Sequence, residues 1–167
     1  MRQFKTILFA TALCLGTFSF AQAQKIAHIN TQDLIQAMPE TKSAQSELQA
    51  LSKTYQTDMQ SSVTEFQNLL KQYESEAPTK TEEENAKRSQ EIQEKQQRLQ
   101  QFQADAQKDL QKKERDLMKP ITDKAKAAIE KVAAAQGFDY VLDSSVGVII
   151  VANGKDLLND VKKELGI

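Results

Sequence analysis

The sequence predicts a mainly α-helical chain with a small β-rich body, from which a long antiparallel helical hairpin projects. Three observations predict it. Two stretches repeat apolar residues at helical spacing well beyond the usual three turns. A proline-containing break, Ala77-Pro78-Thr79, separates them. Short runs of β-formers stand only at the two ends of the chain.

The first residues carry an export signature. Arg2 and Lys5 precede an uncharged apolar run from Ile7 to Phe20, which closes on Ala21-Gln22-Ala23. A secretory signal peptide is expected over residues 1–23, cleaved after Ala23, so the mature chain is expected to be exported. The run falls short of the roughly 20 residues that span a bilayer. Cys14, the one cysteine, lies inside it, behind Leu13 and not behind the small residue of a lipoprotein signal. A mature chain beginning at Gln24 therefore has no thiol chemistry and no disulfide. Without Arg2 and Lys5, 20 basic residues face 23 acidic ones, a net charge of −3. Nucleic-acid partners call for a basic excess, so none is expected.

Lys25–Asn30 reads K-I-A-H-I-N, a short strand built on Ile26 and Ile29. Thr31 is the expected N-cap of a brief helix carrying Leu34 and Ile35. Pro39 suits the first turn of a new helix, where its missing N–H has no partner to lose. From there Ala44, Leu48, Leu51, Tyr55, Met59, Val63, Phe66, Leu70 and Tyr73 recur at steps of three and four, one face of a single helix. The proline break ends it. Thr81, followed by Glu82, Glu83 and Glu84, has the form of an N-cap with acidic residues at the positive end of the helix dipole. The second pattern runs through Ala86, Ile92, Leu99, Phe102, Ala106, Leu110, Leu117, Ile121, Ala125, Ile129 and Val132. It continues past Pro120, which predicts a kink and not a stop, and Gly137 is its expected C-cap. Strands are then expected over Phe138–Asp143 and Val146–Val151, a turn at Asn153-Gly154, and a last helix capped by Asp156. Two long helices joined by a short turn run antiparallel. The expected organisation is a body from 24–38 and 137–167 and a hairpin from 39–136, with its tip near 75–81.

The sequence holds no G-x-x-x-x-G-K and no G-x-G-x-x-G phosphate loop. His28 is the sole histidine, too little for an ordinary zinc site. Carboxylates lie beside Lys and Arg at helical spacing, as in Glu91 and Lys95. No catalytic residue, cofactor or metal is expected, and the chain reads as a non-enzyme.

Two features keep two readings each. The glutamine-rich stretch Gln90–Gln111 is either a plain solvated helix face or a weakly packed, compliant arm. Tyr55, Phe66, Tyr73 and Phe102 are either hairpin core or residues that touch a client in a cavity. In the body, Ile26, Ile29, Val148, Ile149, Ile150 and Val151 are the candidates for an oligomer interface, because an uncovered edge strand in so small a body is a liability.

In this order of elements the chain resembles the Skp/OmpH family of periplasmic chaperones. The resemblance rests on Lys25-Ile26-Ala27-His28-Ile29-Asn30, on Met38-Pro39-Glu40 opening the long helix, and on Gly137-Phe138-Asp139-Tyr140-Val141-Leu142-Asp143 after the second. The closing segment Asp156–Leu165 adds to it. The resemblance implies a homotrimer whose three hairpins surround a cavity like tentacles. It also implies unfolded outer-membrane β-barrel proteins as clients, held without ATP. A coiled-coil scaffold or adaptor bridging envelope components is the alternative. One departure concerns the tip: Lys71, Lys80, Lys87 and Arg88 against Glu74, Glu76, Glu82, Glu83 and Glu84 leave a charge of −1. Direct binding to membrane or lipopolysaccharide is not expected from it.

Overall fold

A computed structural model describes residues 24–167. The expected signal peptide lies outside the described residues. Strand β1 (Ile26–Ile29) leads into α1 (Thr31–Ala37) and α2 (Pro39–Glu76). A single 3-10 turn, Ala77–Thr79, reverses the chain into α3 (Glu82–Gln136). Strands β2 (Tyr140–Asp143) and β3 (Lys155–Asp156) and helix α4 (Leu158–Leu165) follow. At 1.5 Å per residue the 38 residues of α2 span about 57 Å and the 55 of α3 about 83 Å.

Local chemistry sets the helix ends. Pro39 stands in the first turn of α2. Thr81 and Glu84 form a reciprocal capping box: the Thr81 hydroxyl accepts from Glu84 N–H at 3.2 Å, and the Glu84 carboxylate accepts from Thr81 N–H at 3.0 Å. Gly137 adopts the left-handed conformation, φ 68°, that closes α3. Helix α3 continues through Pro120 without a stop. Two caps differ from expectation. Asn30, not Thr31, caps α1 and accepts from Asp33 N–H at 3.0 Å. The Thr31 hydroxyl instead donates to Asp143 at 2.6 Å, tying α1 to β2. Leu157 is the cap residue of α4, while the Asp156 side chain accepts from Leu158 N–H at 2.8 Å.

The sheet is parallel with order β2-β1-β3. Ile26 pairs with Tyr140, and Ala27 with both Val141 and Lys155. The first strand therefore lies between two strands from the end of the chain. Its inner face, Ala27 and Ile29, joins Leu34, Met38, Ala44, Ile121, Ala125, Ala128, Val132, Leu157 and Val161 in one core. That core includes the base of both long helices. Ala44, Ala125 and Ala128 are among its buried alanines on these helices.

The strand expected over Val146–Val151 does not form. These residues make an open loop, and the short pair Lys155–Asp156 supplies the third strand. A β-branched run needs a neighbouring strand to complete its ladder, and no strand of the sheet pairs with this one. The seam of the hairpin differs from expectation in its inward residues and not in its glutamines, whose exposure fits the solvated helix face. The glutamines between Gln90 and Gln111 are exposed. The inward steps of α3 run Asn85, Arg88, Ile92, Lys95, Leu99, Phe102, Ala106, Leu110 and Lys113. Arg88, Lys95 and Lys113 thus fill the places where the apolar stripe thins. Ala86 is exposed; Leu69 is half-buried, and the more exposed Leu70 lines a groove with Tyr73, Arg88 and Ile92.

Candidate functional site

The molecule offers two surfaces, the hairpin seam and the outer face of the body. Along the seam, polar pairs from the two arms meet at intervals. Nearest the body Lys124 pairs with Glu40, and Lys113 with Glu47 at 2.7 Å. Each pair stabilises the charged forms: Lys124 holds Glu40 below the usual carboxylate range, and Glu47 raises Lys113. Farther out Tyr55 donates to Asp109 at 2.8 Å and meets the Phe102 ring edge-on, with 5.9 Å between centroids. That hydrogen bond to a carboxylate raises the Tyr55 phenol above its ordinary value.

The tip is clamped. Arg88 donates to Glu76 at 2.5 Å and lies over the Tyr73 ring at 4.5 Å. Tyr73 donates to Glu91 at 2.5 Å, which raises its phenol. Asn85 donates to the Ala77 carbonyl at 3.0 Å, bracing the 3-10 turn. Hydrogen bonds from Gln72 and Arg88 lower Glu76. Between the Tyr55 and Tyr73 levels, among the described residues, no hydrogen bond or ion pair crosses from one arm to the other. Here half-buried Phe66, Leu99 and Phe102 line an open groove with Lys95 and Arg98. All four aromatic candidates therefore stand in the seam, each half-buried with an edge toward solvent. Periodicity located them there; the pairing carboxylates, Asp109 and Glu91, carried no signal until the arms were aligned.

The body's outer face is apolar and open. Ile26, Tyr140 and Leu142 are 48%, 51% and 45% exposed. The loop beside them presents Val148 at 81%, Ile150 at 94% and Val151 at 72%. Ile149 is half-buried. Ile29 is different from the other interface candidates: it is 1% exposed and belongs to the chain's own core. Alternation along β1 predicts this, since Ile26 and Ile29 are three residues apart and point to opposite faces. Tyr140 and Leu142 were not singled out by sequence, although their pairing with Ile26 and His28 puts them on the same face. On the opposite side, α1, α3 and β2 enclose an open groove of about 760 Å³ lined by Ile35, Ile129, Phe138 and Val141. Among the described residues no cluster of His, Cys, Asp and Glu is placed to hold a metal ion, and no helix is long and apolar enough to cross a membrane.

The family model described as "Outer membrane protein (OmpH-like)" matches residues 25–165. The chain belongs to the OmpH-like family. The match takes in every element from β1 to α4. Among solved structures the chain is similar to a candidate outer membrane chaperone (OmpH-like) from Caulobacter crescentus. The TM-score is 0.75 at 15% identity, covering 86% of each chain. At that identity the likeness is one of fold. No curated protein matches the chain.

Proposed function

We propose that this OmpH-like chain is an exported, non-catalytic holding chaperone. It keeps unfolded outer-membrane β-barrel proteins from aggregating in the periplasm, without nucleotide. The observation that carries the reading is the pairing of a long hairpin with a small body whose outer sheet face is apolar and uncovered. The similarity to a chain described as an outer membrane chaperone supports it. In this reading Ile26, Tyr140, Leu142 and the loop Val146–Val151 join three copies, covering the open apolar face. Three arms then stand around one space. Holding there works through many weak contacts at high effective concentration. The edges of Phe66 and Phe102 in the seam groove, with Tyr55 and Tyr73 at either end, are the contacts proposed for clients. Cleavage after Ala23 belongs to the same reading.

The test combines sedimentation with an aggregation assay. Protein recovered from cells expressing the whole chain is mixed with a urea-unfolded outer-membrane barrel, diluted into buffer without nucleotide. A trimer that holds the barrel in a soluble complex is expected. A monomer that leaves the barrel to aggregate refutes the reading and turns attention to a scaffold that binds a folded envelope partner.

A further inference from the structure

Asn153 and Gly154 join the open loop 146–151 to β3, and both are exposed. Among the described residues the Gly154 N–H donates to no backbone carbonyl, whereas Leu157 N–H, just past β3, donates to the His28 carbonyl at 3.0 Å. The other four asparagines of the chain are held in place. Asn30 accepts from Asp33 N–H at 3.0 Å, and the amide that follows it, Thr31 N–H, donates to Asp143 at 3.4 Å. Asn85, near the start of α3, donates to the Ala77 carbonyl at 3.0 Å. Asn68 and Asn159 lie inside α2 and α4. Thr31, Leu69, Ala86 and Asp160 follow these four, so Asn153 alone precedes a glycine.

We propose that Asn153 is a site of spontaneous modification in the folded chain, where it converts to aspartate and isoaspartate and loosens the seat of β3. The Gly154 backbone nitrogen attacks Cγ of the Asn153 side chain. An N–Cγ bond forms, the Cγ–Nδ2 bond breaks, and ammonia leaves with the proton of the backbone amide. Water then opens the succinimide ring. Opening at Cγ gives aspartate, and opening at the main-chain carbonyl gives isoaspartate, whose backbone runs through Cγ. The attack needs the backbone nitrogen to swing toward the side chain. An exposed loop and a following residue without a Cβ permit that swing, and amides inside helices reach it only from locally opened states. Both products add a negative charge, and isoaspartate lengthens the backbone by a carbon next to Gly154. Gly154 is packed against β1: a Cβ there would sit 3.3 Å from the Ile26 carbonyl oxygen. The change therefore pulls on the pairs Ala27–Lys155 and His28–Asp156 and on the Leu157 bond to His28.

The experiment incubates protein recovered from cells expressing the whole chain at neutral pH, beside an Asn153→Gln chain and a synthetic peptide of residues 150–157. Peptide mapping by mass spectrometry follows every asparagine. The expected result is conversion of Asn153 within about tenfold of the rate in the free peptide, with Asn30, Asn68, Asn85 and Asn159 intact. Hydrogen exchange at the Leu157 amide should become about fivefold faster as the wild-type chain converts and stay constant in Asn153→Gln. Conversion of Asn153 more than about tenfold slower than in the peptide overturns the inference, as does equal conversion at any of the other four asparagines. A Leu157 amide unmoved by full conversion, or one that speeds up equally in Asn153→Gln, overturns the link to β3.

Discussion

Replacing Lys95 by leucine should make the hairpin more stable. Lys95 occupies an inward step of α3 between Ile92 and Leu99, half-buried beside Ser62, Glu65 and Phe66, and pairs with no carboxylate among the described residues. Full burial of a leucine side chain stabilises by about 1.5–3 kcal/mol. The site is only half-covered, and the lysine methylenes already contribute part of that burial. The net gain should be about 1 kcal/mol. Lysine and leucine have nearly equal helix propensity, so the change reports on packing. Urea unfolding followed by circular dichroism measures it, and hydrogen exchange locates it. Amides around Met59–Leu69 and Ile92–Phe102 should exchange about fivefold more slowly. Gln96→Leu is the control, because Gln96 is exposed, and it should give no gain. A neutral or destabilising Lys95→Leu, or an equal gain from Gln96→Leu, would refute the assignment of Lys95 to the seam.

Other perturbations probe the body and the turn. Leu34 is fully buried where α1, α3 and α4 meet, so Leu34→Ala should cost about 3 kcal/mol in thermal unfolding. Asp143 feels burial, which raises its pKa, but hydrogen bonds from Thr31 and Ser145 outweigh that and hold it below the ordinary value. Its contribution is therefore present above about pH 4 and lost as pH falls through the depressed value. Asp143→Asn should lower stability at neutral pH by about 1–2 kcal/mol and flatten the acid limb of a stability–pH profile. Thr81→Ala removes the capping box and should cost about 1 kcal/mol, seen as faster exchange in the first turn of α3. Ile150→Asp changes a side chain that is 94% exposed; it should leave the thermal unfolding of the single chain unchanged and yield monomers in sedimentation.

The ends of the two long helices were the most legible part of this fold, because each depends on residues next to one another. Pro39, the Thr81–Glu84 box and Gly137 announce themselves whatever the rest of the chain does. The seam was legible only in part. Apolar residues mark an inward face, but Arg88, Lys95 and Lys113 share it, and charge disguises them until the partner arm supplies Glu76, Glu47 or a groove. Strand pairing was least legible. Val146–Val151 has the composition of a strand and no partner within the chain, while Lys155-Asp156 has no strand signal and pairs with β1 because the topology brings it there. For the candidate surfaces, sequence named Ile26 and the loop. The division of β1 into a core side and an open side became clear with the register of β2.

The central place of β1 governs the order in which this protein can fold. Its partners follow more than a hundred residues later, as the contact from Lys25 N–H to Asp139 illustrates. Pairings so distant in sequence are slow to close from an open coil. The arms, by contrast, zip from a turn whose cap residues are neighbours, and their closure carries the two chain ends to the same place. A chain synthesised from its N-terminus must leave Ala27 and Ile29 uncovered until its final helix arrives. The hairpin is therefore a guide for its own base, and a chain truncated before Tyr140 would possess arms without a foundation.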